Sequence, residues 1–504
     1  MPPPSPAMSQ RDQGRHYLEQ VHPENWRNPK PAGRYHLVVV GAGAAGLAAA
    51  ESAAALGARV ALVERHRIGG TSLNTGCVPS KALIRTSRLY AEMRDAARYG
   101  VNVDGEVRPD FAMAMARARR IRAQLSGNDA VQRLSAAGID VFFGEACFEG
   151  SDQLRVDDMC LRFGKAVVAT GAHPSIPDIP GLAQAGFLTN ETVFDLDTLP
   201  PRLLVIGGGP LGCELAQAFG RLGAKTVIVQ DKPLFLPREE RDAAQLLSDA
   251  LARDGLEVRL NTIVTGVRRE AGSIRVDMAS DNDRHSTTVD AILTGIGHAP
   301  NVTGLGLETA GVAYTHDAGI HVDDFLRTSH PDIYAAGDVC LEHKYTHAAA
   351  ATARMAVKNA LFRGRGRLSE LVIPWCTFTD PEIAHVGLYV REANRLGIPV
   401  RTFTVPMHQI DRAVADGDPD GFVKIHVRGR GDRILGATIV ASHAGEMING
   451  ITLAMVAGIG LRGLGEVIHA YPTQAEAIRH AADAYRRSRL TERLRQRLAR
   501  WLGD

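Results

Sequence analysis

One segment of the chain combines residue types and spacing that could carry redox chemistry. Residues 69–81 read G-G-T-S-L-N-T-G-C-V-P-S-K, with Cys77 four residues before Lys81. Pro79 suits the first turn of a helix, so Cys77 is predicted to lie at a helix N-terminus. The positive end of a helix and a nearby ammonium group both favour a thiolate, the nucleophilic form of cysteine. We therefore predict a reactive thiol; the alternative is an inert buried one.

The remaining five cysteines do not form an obvious redox or disulfide pattern. The chain has six cysteines in 504 residues and no C-x-x-C pair, which favours a reducing cytoplasm over an oxidising compartment. We expect Cys147, Cys160 and Cys213 to be small buried hydrophobic residues. Cys340 is expected to be buried near a cofactor. Cys376 lies near a predicted strand end, where a second redox role is the alternative.

The composition is that of a multidomain globular protein. A chain of 504 residues with 45% hydrophobic and 23% charged residues is expected to form two to four domains. The net charge of +2, without a long basic block, predicts neither a nucleic-acid nor a membrane partner. The apolar run 451–461 is too short to span a bilayer, and residues 1–16 lack the apolar core of a signal peptide. Proline and polar residues predict a disordered or loosely docked arm to about Pro31.

Two segments of the chain resemble each other. Residues 35–64 and 201–230 each read as a buried strand, a glycine turn, an alanine-rich helix and a second strand. The same number of residues separates the first glycine from Glu64 in one copy and from Gln230 in the other. The glycines stand at matching places: Gly41, Gly43 and Gly46, and Gly207, Gly209 and Gly212. Two copies in strand–turn–helix context are far more specific than a lone G-x-G-x-x-G.

The repeated pattern predicts two dinucleotide sites. The first glycine permits the turn, the second lets the backbone approach a pyrophosphate, and the third lets helix and strand pack closely. The helix N-terminus then binds the phosphates. Glu64 ends the second strand of the first copy, where a carboxylate can bind a ribose hydroxyl. In the second copy Gln230 is followed by Asp231, Lys232 and Arg238; the acid favours NADH and the bases favour NADPH, so the choice stays open with a slight preference for NADH.

Two later segments read as short buried strands that run into glycine turns. They are K-A-V-V-A-T-G-A (165–172) and D-I-Y-A-A-G-D-V-C (332–340). The second contains Asp338, for which a plain helix N-cap is the alternative to a binding role.

Together these motifs resemble the FAD-dependent pyridine nucleotide-disulfide oxidoreductases, the family of glutathione reductase, lipoamide dehydrogenase and mercuric reductase. The resemblance covers roughly residues 35–490. From about residue 371 the pattern changes to alternating strands and then helices. The segments 373–387 and 471–477 are similar to the family's dimerisation domain.

The resemblance implies an α/β fold with two Rossmann-like nucleotide-binding domains, for FAD and NAD(P), plus a C-terminal α+β dimerisation domain. A homodimer is expected, in which the C-terminal domain completes the partner's active site. The predicted ranges are 1–34 for the N-terminal arm, 35–185 and 310–370 for the two parts of the FAD-binding domain, 186–309 for the NAD(P)-binding domain, and 371–504 for the dimerisation domain.

The resemblance also implies roles for individual residues. Cys77 matches the family thiol nearest the flavin ring, and Lys81 and Glu214 match a lysine–acid pair beside that ring. The alternative for the pair is an ordinary ion pair on a helix surface. Asp338 matches the aspartate that contacts the ribityl chain. Further cofactor contacts are implied at Gly70, Thr71, Thr170, Gly171, Gly297 and Gly337.

Two catalytic positions depart from the family pattern. Ser72 stands where the family has its second cysteine, and serine can neither form a disulfide nor attack as a thiolate at neutral pH. Tyr471 stands where typical disulfide reductases have the acid–base histidine, although Glu476 remains five residues later. His469 could reach the site instead. Either the site is rebuilt around the single thiol Cys77, or it is disabled.

The mercuric reductase branch is the most similar in pattern. Residues 411–425 and 444–449 resemble it, as does tyrosine in place of the histidine. Mercury reduction is nonetheless disfavoured, since the chain has neither a C-terminal cysteine pair nor an N-terminal C-x-x-C. H-K-Y-T-H (343–347) could lie near the flavin; its two histidines could bind a metal on one helix face, but capping or solvated roles are favoured, and no metal site is predicted.

The sequence therefore predicts an FAD oxidoreductase that passes electrons from NAD(P)H through flavin and the single thiol Cys77 to a small acceptor. A disulfide, a quinone, a peroxide and a metal ion all stay open as acceptors. The alternative is a non-turnover flavoprotein that serves as a redox sensor or binds a partner protein.

Overall fold

The computed structural model describes residues 10–103, 105–281 and 283–503. Its helices are α1 Gln10–Val21, α2 Ala44–Ala55, α3 Gly70–Asn74, α4 Cys77–Arg94, α5 Phe111–Leu125, α6 Val131–Ala136, α7 Leu182–Ala185, α8 Pro210–Arg221, α9 Arg241–Arg253, α10 Thr346–Phe362, α11 Val390–Arg395, α12 Asp411–Ala415, α13 Ala444–Val456, α14 Leu461–Leu464, α15 Glu476–Ser488 and α16 Glu492–Leu502.

The strands are β1 Arg34–Val40, β2 Val60–Glu64, β3 Ile139–Phe143, β4 Ala146–Phe148, β5 Gln153–Val156, β6 Met159–Val168, β7 Ala172–Pro174, β8 Arg202–Ile206, β9 Lys225–Val229, β10 Glu257–Arg259, β11 Ile263–Glu270, β12 Ser273–Ser280, β13 Asp283–Val289, β14 Ala291–Thr294, β15 His298–Pro300, β16 Tyr314–Thr315, β17 Gly319–Ile320, β18 Ile333–Ala335, β19 Pro374–Thr377, β20 Glu382–Gly387, β21 Val400–Pro406, β22 Phe422–Arg428 and β23 Ile434–Ala441.

The chain divides into two compact units, one of residues 1–229 with 262–371 and one of residues 230–261 with 372–504. The first unit contains a seven-stranded sheet in the order β3-β2-β1-β6-β5-β4, with β18 also paired to β6. The strands β1, β2, β3, β6 and β18 run parallel to their neighbours in this set, whereas β4 and β5 pair antiparallel. A largely parallel sheet covered by helices is the Rossmann-like arrangement that the first glycine repeat predicted.

The apolar runs of the sequence explain this sheet. Val38 and Val39 of β1 are fully buried, as expected of strands covered on both faces. One side packs against the alanine-rich helix α2 and against α10. Hydrophobic residues on the other side form a second cluster with residues 302–320, which include Leu307 and Ile320. The small side chains of α2 let it lie close to the sheet.

The second glycine repeat folds in the same way within this unit. Strands β8, β9 and β14 pair in parallel, and α8 follows the turn after β8. An antiparallel meander of β11, β12 and β13 accompanies them.

The second unit has an antiparallel core. Its five strands follow the order β19-β20-β23-β22-β21, and the helices α13 and α15 pack their apolar sides against this sheet. The strand-then-helix pattern predicted from about residue 371 onward is therefore present. The fold class, α/β with two Rossmann-like regions and a C-terminal α+β domain, is confirmed.

The prediction of a disordered or loosely docked arm is wrong for the part of the arm that the structure describes. Residues 10–21 form α1, in which Tyr17 and Val21 are buried. The proline-rich start of the arm, residues 1–9, lies outside the described residues. Composition misled here because the helix gains its stability from side-chain burial against other elements, which composition does not encode.

Candidate functional site

The redox segment, residues 68–78, consists of a turn, the short helix α3 and the start of α4. Gly69 and Gly70 adopt positive φ angles of 95° and 55°, which turn the chain sharply into α3. Cys77 is the first residue of α4 and is exposed, and Pro79 lies in the first turn as predicted. The capping residue Gly76 supplies no side-chain acceptor, so the N–H groups of the first turn remain available to a negative charge at Cys77.

A threonine joins Ser72 and Cys77, the two residues of the redox segment that the sequence singled out. The Oγ1 atom of Thr346 lies 3.4 Å from Sγ of Cys77, and it donates to Oγ of Ser72 at 3.3 Å. Thr346 is the first residue of α10. Sequence reasoning did not single it out, although the H-K-Y-T-H segment that contains it was expected near the flavin.

Lys81 and Glu214 form the predicted pair. Nζ of Lys81 donates to Oε2 of Glu214 at 2.7 Å, across α4 and α8. The Glu214 side chain is only 5% exposed and that of Lys81 is 35% exposed. The alternative of an ordinary surface ion pair is therefore wrong, because the carboxylate lies inside the molecule.

The first glycine loop has no room for side chains. A Cβ atom on Gly46 would lie 1.7 Å from the carbonyl oxygen of Gly41, and one on Gly41 would lie 2.4 Å from that of Ala169. A Cβ atom on Gly70 would lie 2.6 Å from Cα of Gly43, so the redox segment and the glycine loop touch through their backbones. Gly43 caps α2 without a side-chain hydrogen bond, which leaves the amides of the first turn available to a phosphate.

Two carboxylates stand where the resemblance placed cofactor contacts. Oε2 of Glu64 accepts from the Ala42 amide and Oε1 from the His66 amide, both at 2.8 Å, which fixes the carboxylate at the end of β2. Oδ1 of Asp338 is buried without a hydrogen-bond partner among the described residues. Burial raises the pKa of Asp338, and the opposing effect of Lys344 is smaller.

Asp338 is not a helix N-cap. It lies inside a short 3-10 helix, Gly337–Val339, whose cap is Ala336, and α10 begins eight residues later with Tyr345 as its cap. An unpaired buried carboxylate oxygen is costly unless a donor reaches it. A hydroxyl-bearing chain such as the ribityl group of FAD would supply that donor, so the residues present fit the cofactor.

The other residues predicted to contact the flavin cofactor line the same region. Thr170 donates from Oγ1 to the carbonyl of Asn301 at 2.7 Å, and Asn301 donates back to Thr170 at 2.8 Å, which ties the turn at Gly171 in place. A Cβ atom on Gly337 would lie 3.0 Å from Cβ of Ala45 in α2. Thr71 is exposed on α3, and its role stays a prediction.

The second glycine loop repeats the geometry of the first. A Cβ atom on Gly212 would lie 2.1 Å from the carbonyl oxygen of Gly207, and one on Gly207 would lie 2.6 Å from that of Gly295. Gly209 caps α8 without a side-chain hydrogen bond. Gly297 has a φ angle of 120° and open space beside it, as a backbone in contact with a ligand requires.

The residues expected to choose between NADH and NADPH do not settle that choice. The Gln230 amide donates to the carbonyl of Arg259 at 2.9 Å, so the backbone there is fixed. Asp231 and Lys232 form an exposed ion pair of 3.1 Å with each other. This pair places one acid and one base side by side, so it favours neither cofactor. The slight preference for NADH stays a prediction.

A cavity of about 330 Å³ adjoins the redox segment. Ser72 and Thr346 line it, together with Glu51, Asp129 and Arg354. Burial and the neighbouring carboxylate of Glu51 raise the pKa of Asp129. The cavity therefore brings a small molecule within reach of the Ser72 and Thr346 hydroxyl groups and of charges of both signs.

The remaining cysteines correct one prediction. Cys213 is buried, as expected, and burial raises its pKa. Cys160 is exposed and Cys147 is only half-buried, so the expectation that both are buried hydrophobic residues is wrong. The alternating pattern of their strands places them toward or near solvent.

Burial raises the pKa of Cys340 to about 12, which argues against redox chemistry there. Cys376 in β19 is half-buried and packs against the core of the second unit, and its second redox role stays a prediction.

In the second unit, Tyr471 is exposed and donates to Oδ2 of Asp411 at 2.9 Å. This hydrogen bond raises the pKa of Tyr471, so still less of the basic phenolate form is present at neutral pH. Glu476 is buried at the start of α15 and pairs with Arg479 at 3.2 Å. Nδ1 of His469 lies 3.2 Å from the carbonyl oxygen of Val467 within its own segment. The catalytic roles of these residues stay predictions.

The two histidines of residues 343–347 do not share a helix face. His343 lies in a bend before α10 and His347 in its first turn, with the Tyr345 ring stacked between them. Across the described ranges, no cluster of three or more His, Cys, Asp or Glu residues could hold a metal ion. No helix in the described part of the chain is long and apolar enough to cross a membrane.

The fold and the two glycine loops define a class of flavin- and nicotinamide-dependent enzymes, and comparison with known proteins gives the family. The pyridine nucleotide-disulphide oxidoreductase family matches residues 35–359, and its dimerisation domain matches residues 373–482. The chain belongs to this family. It is therefore an NAD(P)H-dependent FAD oxidoreductase.

The similar proteins include two activities of the family. A mercuric reductase of Lysinibacillus sphaericus is 31% identical over 89% of this chain and 82% of its own length. A dihydrolipoyl dehydrogenase of Thermus scotoductus is 33% identical over 89% of this chain and 97% of its own length. Among solved structures, the Cu(II) complex of the HOCl-induced flavoprotein disulfide reductase RclA of Escherichia coli has a TM-score of 0.79 at 28% identity, covering 90% of this chain and 99% of its own. LpdA of Mycobacterium tuberculosis has a TM-score of 0.81 at 29% identity, covering 90% of this chain and all of its own.

Proposed function

We propose that this protein passes electrons from NAD(P)H through FAD and the single thiol Cys77 to a small acceptor that binds in the cavity beside Ser72 and Thr346. The observation that carries the proposal is the hydrogen-bonded chain Ser72–Thr346–Cys77, which links that cavity to the thiol. When bound, FAD accepts a hydride from NAD(P)H and gives its two electrons onward.

The glycine loop after β1 and the N-terminus of α2 would hold the pyrophosphate of FAD, with Glu64 on the ribose and Asp338 on the ribityl chain. Lys81 and Glu214 would lie beside the flavin ring. The buried carboxylate of Glu214 keeps the Lys81 ammonium in one position, so the positive charge near Cys77 does not depend on a mobile side chain.

The hydroxyl chain gives Ser72 a role that needs no second thiol. Thr346 donates to Ser72 in the structure. Because hydroxyl hydrogens rotate, this bond would reverse, with Ser72 donating to Thr346, when Thr346 donates to a Cys77 thiolate. Such hydrogen bonds would orient the Cys77 sulfur beside the cavity. Ser72 would then support a one-thiol site rather than mark a disabled one.

A disulfide acceptor illustrates the balance of the reaction. The Cys77 thiolate attacks one sulfur, a mixed disulfide forms, and one thiolate of the acceptor leaves. Two electrons that originate from NAD(P)H then cleave the mixed disulfide, which releases the second thiolate and restores Cys77. Quinones, peroxides and metal ions remain candidate acceptors, and the Cu(II) complex of RclA makes copper a member of the panel to be tested.

Three further expectations belong to this proposal. The protein acts as a homodimer, in which the segment around Tyr471 and Glu476 completes the site of the partner. The five predicted domain ranges apply, with the FAD-binding domain in two parts. The enzyme works in the cytoplasm.

The test is steady-state oxidation of NADH and NADPH against a panel of disulfides, quinones, peroxides and Cu(II) ions. Wild type is compared with Cys77→Ser and with Cys160→Ser, which removes an exposed thiol outside the site. Acceptor-dependent turnover that is lost only in Cys77→Ser supports the proposal. Turnover retained in Cys77→Ser removes the thiol from the pathway, and flavin that neither nicotinamide reduces favours the sensor or partner-binding alternative.

A further inference from the structure

The helix α1 lies outside the family's own sequence match, which begins at residue 35, yet it packs on the redox segment. Tyr17 and Val21 form a small hydrophobic cluster with Leu73 of α3, Ala123 of α5 and the partly buried Val78 of α4. Leu73 directly follows Ser72, and Val78 directly follows Cys77. The packing of α1 therefore reaches both positions of the redox segment through their immediate neighbours.

A buried hydrogen bond fixes the connection between these two positions. The Tyr17 hydroxyl donates to Oδ1 of Asn74, whose side chain is itself buried. Nδ2 of Asn74 donates to the carbonyl of Ile68 at 3.1 Å. Asn74 thereby links the end of α3 to the start of the redox segment at Ile68. The hydrogen bond from Tyr17 fixes the orientation of the Asn74 side-chain amide.

Further contacts hold the backbone at Asn74 itself and at the start of the redox segment. Arg122 lies over the Tyr17 ring, with its guanidinium carbon 4.6 Å from the ring centroid, and donates to the Asn74 carbonyl at 3.1 Å. At the C-terminus of α1, the Val21 carbonyl accepts from the Ile68 amide at 3.0 Å. The redox segment is thus bound to α1 at its start and at its middle.

We infer that α1 is a positioning element for the redox segment. Tyr17 acts through Asn74 to keep the first turn of α4, which begins at Cys77, in its helical conformation. Cys77 is the first residue of α4, so the first-turn N–H groups can interact with a negative charge on a reacting sulfur only while that turn is intact. A connection between Ser72 and Cys77 that is free to move would let this turn fray. Loss of the Tyr17 hydroxyl would then lower the reactivity of Cys77 without unfolding the protein.

The experiment measures alkylation of individual cysteines by iodoacetamide at pH 7 in the FAD-loaded full-length protein, with peptides resolved by mass spectrometry. Tyr17→Phe removes only the hydroxyl group, and Tyr17→Ala removes the ring as well. Tyr35→Phe is the matched control, since the Tyr35 hydroxyl donates to Asp140 at 2.7 Å in a region without contact to the redox segment. Exposed Cys160 gives the reference rate, and buried Cys213 reports global opening.

We expect the Cys77 rate relative to Cys160 to fall about 2- to 5-fold in Tyr17→Phe, the range that an interaction with a helix terminus supplies, and further in Tyr17→Ala. Cys213 stays unreacted in Tyr17→Phe, and Tyr35→Phe leaves the ratio unchanged. An unchanged ratio in both Tyr17 variants, or an equal fall in Tyr35→Phe, would overturn the inference. Cys213 reacting in Tyr17→Phe would overturn it too, because α1 would then act through global stability.

This inference rests on the proposed role of Cys77, but its test does not require turnover. Alkylation needs neither nicotinamide nor an acceptor. Failure of every acceptor in the panel would overturn the proposed function and leave the alkylation ratio meaningful, whereas an unchanged ratio would overturn only the role of α1.

Discussion

The unpaired carboxylate of Asp338 predicts that replacing this residue stabilises the protein without FAD and weakens the binding of FAD. Oδ1 of Asp338 is buried without a donor among the described residues, and burial raises the pKa of the carboxyl group. A buried polar group that lacks its partner costs about 1–3 kcal/mol. Asp338→Asn removes the charge at nearly constant volume, so we expect the apoprotein to gain roughly 1–2 kcal/mol in unfolding free energy at pH 7.

The pH dependence follows from the direction of the pKa shift. Because the folded-state pKa of Asp338 is raised, its contribution to stability is fully present below the unfolded pKa of the carboxyl group, about 3.9, and is lost as pH rises through the folded value. The gain from Asp338→Asn should therefore be larger at pH 7 than at pH 4. Urea unfolding of apoprotein at both values measures this difference.

FAD binding should change in the opposite direction. A hydrogen bond to a charged group is worth about 1.5–3 kcal/mol. Its loss in Asp338→Asn should make the dissociation constant for FAD roughly 10- to 150-fold larger. Reconstitution followed by quenching of FAD fluorescence gives this constant. The prediction concerns affinity and does not depend on turnover.

Asp332→Asn is the matched control for both measurements. Asp332 precedes β18 and pairs with Lys165, and its side chain is 46% exposed. An exposed ion pair contributes about 0–1 kcal/mol, so this variant should lose a little stability and keep its FAD affinity. The reasoning is that FAD supplies the hydrogen-bond donor that Asp338 lacks. It would be refuted if Asp338→Asn apoprotein were less stable than wild type at pH 7 and bound FAD with unchanged affinity.

Three other predictions test the site and the second unit. Ser72→Cys should restore at most weak reduction of a small disulfide, because the acid–base histidine of disulfide reductases has no counterpart; rapid turnover would contradict the one-thiol site. Lys81→Met removes the ammonium group that pairs with the buried Glu214 carboxylate and should cost roughly 2–4 kcal/mol in urea unfolding. Lys81→Met with Glu214→Gln should recover most of this loss; no recovery would speak against the pair. Burial opposes ionisation of Glu240, but His426 at 3.3 Å and Lys424 at 3.0 Å from its carboxylate together prevail and hold the pKa of Glu240 at about 2. The stability that Glu240 contributes is present above about pH 4.5 and lost as pH falls toward 2. Glu240→Gln should therefore flatten that acid limb, and an acid limb as steep as in wild type would argue against these ion pairs.

Local patterns of the sequence were sufficient for the cofactor loops. The glycines of both repeats are needed because neighbouring backbone occupies the space of a side chain, as at Gly46 and Gly212. That requirement acts over a few residues, between a strand, its turn and the following helix. The position of Cys77 at the start of α4 is likewise local, since Pro79 and the preceding glycine mark the helix start.

The burial of individual side chains was harder to predict. The arm was expected to be loose, but α1 is held by Tyr17 on Asn74 and by Val21 on Ile68, residues more than forty positions away. Cys160 was expected to be buried and is exposed, because only the pairing of its strand decides which face it occupies. Both outcomes depend on contacts between distant segments.

The sequence by itself determined the family and predicted the two nucleotide sites and the single reactive thiol, because each rests on residues close together in the chain. Only the tertiary structure decided what surrounds that thiol. Thr346 bonds Cys77 across a separation of 269 residues and Ser72 across 274, and no spacing rule could have joined them. The meaning of Ser72 changed accordingly: in the sequence it is the absence of a cysteine, and in the folded chain it is the end of a hydroxyl chain that reaches Cys77.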